Sequence, residues 1–150
     1  MPVETLDETQ TFDHVEKLTA LLETLMTELD LGDREVTLVL TNDEVIAGLN
    51  ARDRDVSGPT DVLSYPTFEP TDIGFPHVPH LGDIFISLDT AETQAAAATT
   101  DLFAEVATLA AHGLLHLSGL DHQDDEQWRP FNEAQRRILE LRGALEGNSK

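Results

Sequence analysis

Leu102-Phe103-Ala104-Glu105-Val106-Ala107-Thr108-Leu109-Ala110-Ala111-His112-Gly113-Leu114-Leu115-His116-Leu117 is apolar almost all round and carries two histidines four residues apart. Leu102, Phe103, Val106, Leu109, Leu114 and Leu117 cover more of a helix than one stripe, so this helix threads the core. At a spacing of four, His112 and His116 lie one above the other on a single face and turn toward the same point. The chain continues Ser118-Gly119-Leu120-Asp121-His122, so three of the six histidines fall within eleven residues. Gly119 supplies a stop: a glycine there takes the left-handed conformation that ends a helix and lets His122 return to the first two. Three neutral imidazoles at about 2.0 to 2.1 Å leave a tetrahedral Zn²⁺ with one open position, the arrangement of a catalytic site. Imidazole also suits other divalent transition metals, so the ligands are better fixed than the ion. The alternatives are a hydrogen-bonded histidine cluster and a structural metal whose fourth ligand lies elsewhere.

Outward from this helix, the composition sets bounds. A chain of 150 residues with 40% hydrophobic residues has the length of one domain, 1–150, and buries about two thirds of the surface its unfolded form exposes. Cysteine is absent, which excludes disulfides and thiolate ligands and leaves nitrogen and oxygen for any metal. Met1 to Glu8 lacks the basic and apolar regions of a signal peptide, and no apolar run reaches the length of a membrane span. A cytoplasmic protein with no membrane partner is expected. The net charge of −20 repels nucleic acids and anionic membranes at long range and argues against a general polyanion binder. Lys17 and Lys150 are the only lysines, a surface suited to high salt, where the Debye length falls to about 3 Å at 1 M.

The rest of the chain alternates helix and strand. Val15, Leu18, Leu22, Leu25 and Leu29 recur at three and four within an amphipathic helix from Asp13 to Asp30, with Asp13 and Glu16 as a capping box. Val36 to Leu40 reads as a strand buried on both sides. Thr41 and Glu44 open a second helix that fades into the polar segment Ala51 to Pro59. Val62 to Phe68 reads as a strand, held to an edge by Pro66. A Pro-rich loop from Pro70 to Pro79 precedes a further strand, Asp83 to Ser87. Asp89 caps an Ala-rich helix, and Thr99 or Thr100 starts the histidine helix. The last helix starts between Asp124 and Trp128, with Pro130 in or near its first turn, and ends near Gly143.

Zincin proteases carry H-E-x-x-H, in which the glutamate is the general base. Position 113 is Gly, so that base is missing and peptide hydrolysis is disfavoured. The string His112-Gly113-x-Leu115-His116-Leu117-x-Gly119-x-Asp121-His122 instead resembles the signature of the YbeY family of bacterial metal-dependent endoribonucleases. Leu49-Asn50, Arg54, Thr60-Asp61-Val62-Leu63-Ser64-Tyr65-Pro66 and Leu81-Gly82-Asp83-Ile84 look like the family's other landmarks, in the right order, and together cover roughly residues 45 to 140. Leu120 stands where the family usually has Tyr, Tyr65 where it has Phe, and the loop before Thr60 is more acidic than usual. The resemblance implies an α+β fold, a small mixed four-stranded sheet packed by about five helices with a zincin-like metal helix. The fourth strand then has to come from Val3 to Leu6. It also implies single-strand-specific cleavage in maturation of the 16S rRNA 3′ end and in ribosome quality control. The implied cofactor is one Zn²⁺ per chain, and the implied partners are ribosomal RNA, the small ribosomal subunit and its assembly factors.

Around the three ligands, Arg54 is the candidate for developing phosphoryl charge, because a guanidinium meets phosphate oxygens with two parallel hydrogen bonds. It also matches the family's functional arginine; the alternative is a solvated charge between Asp53 and Asp55. Glu105, two turns before His112, either orients a histidine or lines the core or cleft. Asp121 either neighbours the metal or bonds turn amides. Ser64 reads as a strand hydroxyl satisfied by backbone, while His77 and His80 face solvent in the Pro-rich loop. Beside the nuclease stand a metallohydrolase of another substrate, which Gly113 disfavours, and a ribosome-assembly factor with a structural metal, whose acidic surface suits basic partners.

Overall fold

The computed structural model of the chain describes residues 2–67, 80–119 and 124–147. Its sheet has the order β1-β2-β4-β3, built from β1 (Val3–Asp7), β2 (Glu35–Thr41), β3 (Val62–Pro66) and β4 (His80–Ser87). β1, β2 and β4 run parallel and β3 antiparallel to β4, a mixed sheet. With it stand α1 (Val15–Glu28), α2 (Asp43–Arg54), α3 (Leu88–Ala97), α4 (Leu102–Leu117) and α5 (Asp125–Gly147), an α+β architecture. The fourth strand is the N-terminal segment, as the resemblance required. Leu38, Val39 and Leu40 are all buried although they alternate between faces, so β2 is covered on both sides, consistent with its place between β1 and β4. β3 is an edge strand, where the missing N–H of Pro66 costs no ladder bond within the sheet.

α4 carries the core. Phe103, Val106, Ala107, Ala110, Ala111, Leu114, Leu115 and Leu117 are buried on it, against Ile84 and Ile86 of β4 and Phe131 and Ile138 of α5. α4 packs on β3 and β4, α5 packs on α4, and α1 packs on β1 and reaches both α4 and α5. Gly119 has φ +94° and donates its N–H to the His116 carbonyl at 3.0 Å. It is the left-handed stop that the sequence indicates.

Several element ends differ from expectation, most of them because a neighbouring polar residue is recruited elsewhere. α1 starts at Val15 with His14 at the cap position and no side chain capping it, so Asp13 forms no capping box. The preceding turn is pinned instead by Asp7, which accepts the backbone N–H groups of Thr9 and Phe12. Thr41 still pairs with Ser87 in the sheet, which leaves Asn42 to cap α2 through the Val45 N–H at 2.9 Å, and α2 stays helical to Arg54. β4 begins at His80 rather than Asp83. Ser87, not Asp89, caps α3. Asp89 reaches across to accept the Asp43 N–H at 3.0 Å, while the Asp43 carboxylate accepts the hydroxyls of Ser87 and Thr90, so the starts of α2 and α3 lock each other. Thr99 and Thr100 close α3, with Thr99 at φ +58° and the Thr100 N–H on the Ala95 carbonyl. α4 is therefore capped by Asp101, which accepts the Ala104 N–H at 2.7 Å. α5 runs on to Gly147 past the open position of Gly143, and Pro130 falls in its second turn. The stretch of the first edge strand beyond Thr67 and the Pro70 to Pro79 loop lie outside the described residues.

Candidate metal centre and cleft

The last turns of α4 bring His112 Nε2 and His116 Nε2 to 3.1 Å from each other. Two ligands at about 2.05 Å on a tetrahedral ion stand about 3.4 Å apart, so this pair needs only a slight opening to share one cation. His122, the third expected ligand, and Asp121 lie outside the described residues. Among the described residues no three His, Cys, Asp or Glu side chains converge as a metal cage. What the structure brings together is thus a two-imidazole donor pair.

α5 covers these imidazoles from outside the sheet. Phe131, fully buried, lies 4.9 Å from both histidine rings, and Trp128 lies 5.7 Å from His112, centroid to centroid. The apolar cover restricts water on that side and strengthens any electrostatic contact inside. Among the described residues a polar side chain interrupts it: the Gln135 amide nitrogen stands 3.2 Å from His112 Nδ1. Sequence reasoning missed Gln135, although it sits four residues after Phe131 beside Ala134 and Ile138, the buried stripe of α5. A polar residue on the inward edge of an amphipathic helix was the available signal.

The histidines open into a cleft of about 640 Å³ that is also lined by Arg54, Asp53, Asp61, Ser64 and Tyr65. Arg54 occupies the last turn of α2, a helical position rather than a loop charge. Of its two acidic neighbours, Asp53 is committed elsewhere. Arg52 donates to it in a fork, Nε to Oδ1 at 2.7 Å and Nη2 to Oδ2 at 2.8 Å, and the Tyr65 hydroxyl donates to Oδ2 at 3.0 Å. The Arg52 hydrogen bond holds the Asp53 carboxyl below its usual range. Burial, then the bond to Asp53, pushes the Tyr65 hydroxyl up, and its ring stands edge-on to Phe85 at 5.6 Å. The tie between Tyr65 and Asp53 fixes the C-terminal turn of α2 to β3.

Gly113 has a packing reason. A Cβ there would stand 2.8 Å from Ile84 Cγ2 and 3.1 Å from Ser64 Oγ, so α4 lies too close to the sheet for any side chain. Position 113 faces β3 and β4, and a glutamate could not be housed there. Gly82 is constrained likewise: at φ +153°, an added Cβ would run into the Tyr65 carbonyl oxygen and Leu117.

The remaining candidates separate. Ser64 donates to the Gly113 carbonyl at 3.3 Å, a hydroxyl satisfied by backbone as read from the sequence. Glu105 makes no hydrogen bond to a histidine among the described residues. Its half-buried carboxyl is raised by burial and then by the charge of Asp61, a residue of the cleft wall. His80 is not a loop residue: it starts β4, because that strand extends to meet Glu35 of β2, and its partly exposed ring pairs with Asp83 at 3.0 Å. His77 lies outside the described residues.

Comparison with known proteins identifies the family. Residues 3–143 match the family model described as endoribonuclease YbeY. The chain is 50% identical over 127 residues to the endoribonuclease YbeY of Thermus thermophilus, covering 85% of this chain and 90% of that one. It is 44% identical over 128 residues to the Deinococcus radiodurans relative of the same name, covering 78% and 81%. A solution structure of a Thermotoga maritima protein superposes with a TM-score of 0.68 at 27% identity, covering 97% of this chain and 93% of that one. These relatives place the chain in an RNA-hydrolysing class of enzyme. The chain belongs to the endoribonuclease YbeY family.

Proposed function

We propose that the chain is a metal-dependent endoribonuclease that cuts single-stranded ribosomal RNA, with its cleft as the active site. The observation that carries this reading is the His112–His116 pair, its Nε2 atoms 3.1 Å apart, lining one cleft with Arg54. His112, His116 and His122 would hold the ion, a set of nitrogen donors suited to Zn²⁺ or another divalent transition metal. When bound, such an ion supplies Lewis-acid activation at a phosphodiester.

The protein's own groups do the rest. Arg54 meets the phosphate oxygens through its guanidinium and stabilises the charge that builds as the P–O bond breaks. Arg52 keeps Asp53 occupied, so the carboxylate next along the helix does not neutralise Arg54. Trp128 and Phe131 exclude water behind the imidazoles. Family membership and the nuclease cleft support action in 16S rRNA 3′-end maturation and ribosome quality control, in the cytoplasm, on the small ribosomal subunit with its assembly factors. No described helix is long and apolar enough to cross a membrane.

The test couples metal analysis of the purified chain to cleavage of a single-stranded ribosomal RNA fragment by wild type, His116→Ala and Arg54→Ala. One equivalent of metal in wild type, its loss in His116→Ala and loss of cleavage in both variants are expected. Metal retained with no cleavage by wild type would sink the nuclease reading. Full metal and activity in His116→Ala would remove the ligand assignment.

A further inference from the structure

The cleft runs along a strand edge. Every residue from 60 to 66 lines it, whereas a strand met face-on shows only alternate residues. The cleft therefore meets β3 in the plane of the sheet, on the side away from β4, where the sheet ends. The register says which backbone groups point there. Ser87 donates its N–H to the Asp61 carbonyl at 3.0 Å, and Thr67 donates to the Leu81 carbonyl at 2.8 Å. Residues 61, 63, 65 and 67 thus bond β4, and the backbone groups of Val62, Ser64 and Pro66 face the cleft. Two possible donors are withdrawn from this edge: the Val62 N–H is taken by the Asp61 carboxylate at 2.8 Å, and Pro66 has none. The Ser64 hydroxyl is turned to the Gly113 carbonyl at 3.3 Å. What remains around Ser64 is an acceptor, a donor and an acceptor in order: the Val62 carbonyl, the Ser64 N–H and the Ser64 carbonyl. None of the three has a partner among the described residues.

A single N–H between two carbonyls is a poor template for an added peptide strand, which needs donors repeating at every second residue. It is a good match for one flat heterocycle. The Watson–Crick edge of adenine presents an amino N–H, bare N1 and a C2–H, so it meets the three groups in one register with no like pair opposed. In that register cytosine sets its O2 against a carbonyl, and guanine and uracil set an N–H against the Ser64 N–H. We propose that the outer edge of β3 at Val62 and Ser64 is a base-reading subsite of the cleft that takes the Watson–Crick edge of an adenine. In a duplex that edge is bonded to the opposite strand, so the subsite admits only an unpaired adenine. The inference rests on the nuclease reading above and adds to it the nucleotide that the cleft selects.

The experiment uses the full chain with one equivalent of zinc and short oligouridine strands that carry a single adenosine. Cleavage at a fixed distance from the adenosine is expected. Replacing it by purine riboside, which lacks the amino group, or by 1-deazaadenosine, which lacks N1, is expected to lower kcat/KM about tenfold, the effect of one lost hydrogen bond. 7-Deazaadenosine, altered away from the Watson–Crick edge, is expected to be cut like adenosine. Ser64→Pro deletes the N–H without touching the β4 ladder and should erase the preference, whereas Ser64→Ala, which keeps the N–H, should retain it. In the wild type, the Ser64 amide resonance should shift with the adenosine strand and not with its 1-deaza counterpart. Equal cleavage of all four strands by wild type overturns the inference while the nuclease stands. A preference that survives in folded Ser64→Pro overturns it as well, as does a Ser64 amide that responds to an extended peptide and not to RNA. Failure to cleave these strands and the ribosomal RNA fragment alike overturns the nuclease reading, and the inference with it.

Discussion

Asp53 grips Arg52 through two hydrogen bonds at 2.7 and 2.8 Å, while Arg54, just as near along the chain, is left to line the cleft. Of two arginines flanking one carboxylate, the fold spends one as a counter-ion and leaves the other on the cleft wall. The hydroxyl of Tyr65 secures the choice by taking a place on the same carboxylate.

The two arginines should therefore behave differently on substitution. Arg54→Ala is expected to lower kcat for single-stranded RNA about 100-fold, the cost of losing one charge-stabilising donor. Arg54→Lys should recover only part of it, because an ammonium lacks the planar fork. Arg52→Ala should cost under about tenfold, through partial diversion of Arg54 toward the freed Asp53. Single-turnover cleavage rates for the three variants decide the point; equal losses at both positions would dissolve the distinction.

An acidic enzyme with a polyanionic substrate has an unusual salt dependence. At a net charge of −20, the whole-molecule field opposes RNA, and that opposition is long-ranged. Raising ionic strength from about 0.01 to 0.15 M shortens the screening length from about 30 to 8 Å. kcat/KM is expected to rise over this interval and to fall again at higher salt as the short-range contact with Arg54 weakens. A monotonic fall from the lowest salt would mean that a local basic surface governs approach.

Gly113→Ala isolates the packing argument. Helix propensity alone favours Ala by about 1 kcal/mol, but its Cβ would press on Ile84 Cγ2 at 2.8 Å, and overpacking of this kind costs about 1 to 3 kcal/mol. A net loss of about 1 kcal/mol is expected, a fall in Tm of about 2 to 4 °C at this chain length. Combining it with Ile84→Ala should give less than the sum of the two losses, since the second change removes the obstructing methyl. A stabilised single variant would show that α4 and β4 part more easily than their geometry implies.

Glu105 gives a pH dependence with a definite sign. Burial and Asp61 raise its carboxyl above the ordinary 4.5, so the folded chain binds the proton more tightly than the unfolded one. Its effect on stability is unfavourable when charged: stability falls as pH rises from about 4.5 through the raised folded value, then levels off. Glu105→Gln removes that slope. The variant should match wild type near pH 4 and melt higher at pH 7; an equal or lower Tm at pH 7 would mean that the charged carboxyl has found a stabilising partner.

The histidine helix, its glycine stop, the edge strand at Pro66 and the buried β2 were legible because each follows from periodicity or backbone chemistry within a few residues. Helix caps were legible only as neighbourhoods. Asp89 was the stronger local candidate for α3, yet it serves Asp43 across the fold, and a choice settled between distant segments leaves no local mark. Arg54 could be singled out by its chemistry, but its freedom from Asp53 depends on Tyr65, which arrives from another strand. Gln135 is farther still, 23 residues beyond His112 in sequence, and only α5 packing over α4 makes it a neighbour. Gly113 was correctly weighed against a protease base, though the sequence showed what was missing there and the structure shows what excludes it.

α2 is a rod of 12 residues, about 18 Å from end to end, clamped at both ends. Asp43 at its start is bound to Ser87, Thr90 and Asp89, and Asp53 near its finish to Tyr65. Such a rod transmits tilt. A substitution at Asp89 or Thr90, about a rod's length from Arg54, is expected to change the angle at which that arginine meets the cleft while the histidine pair stays as it is.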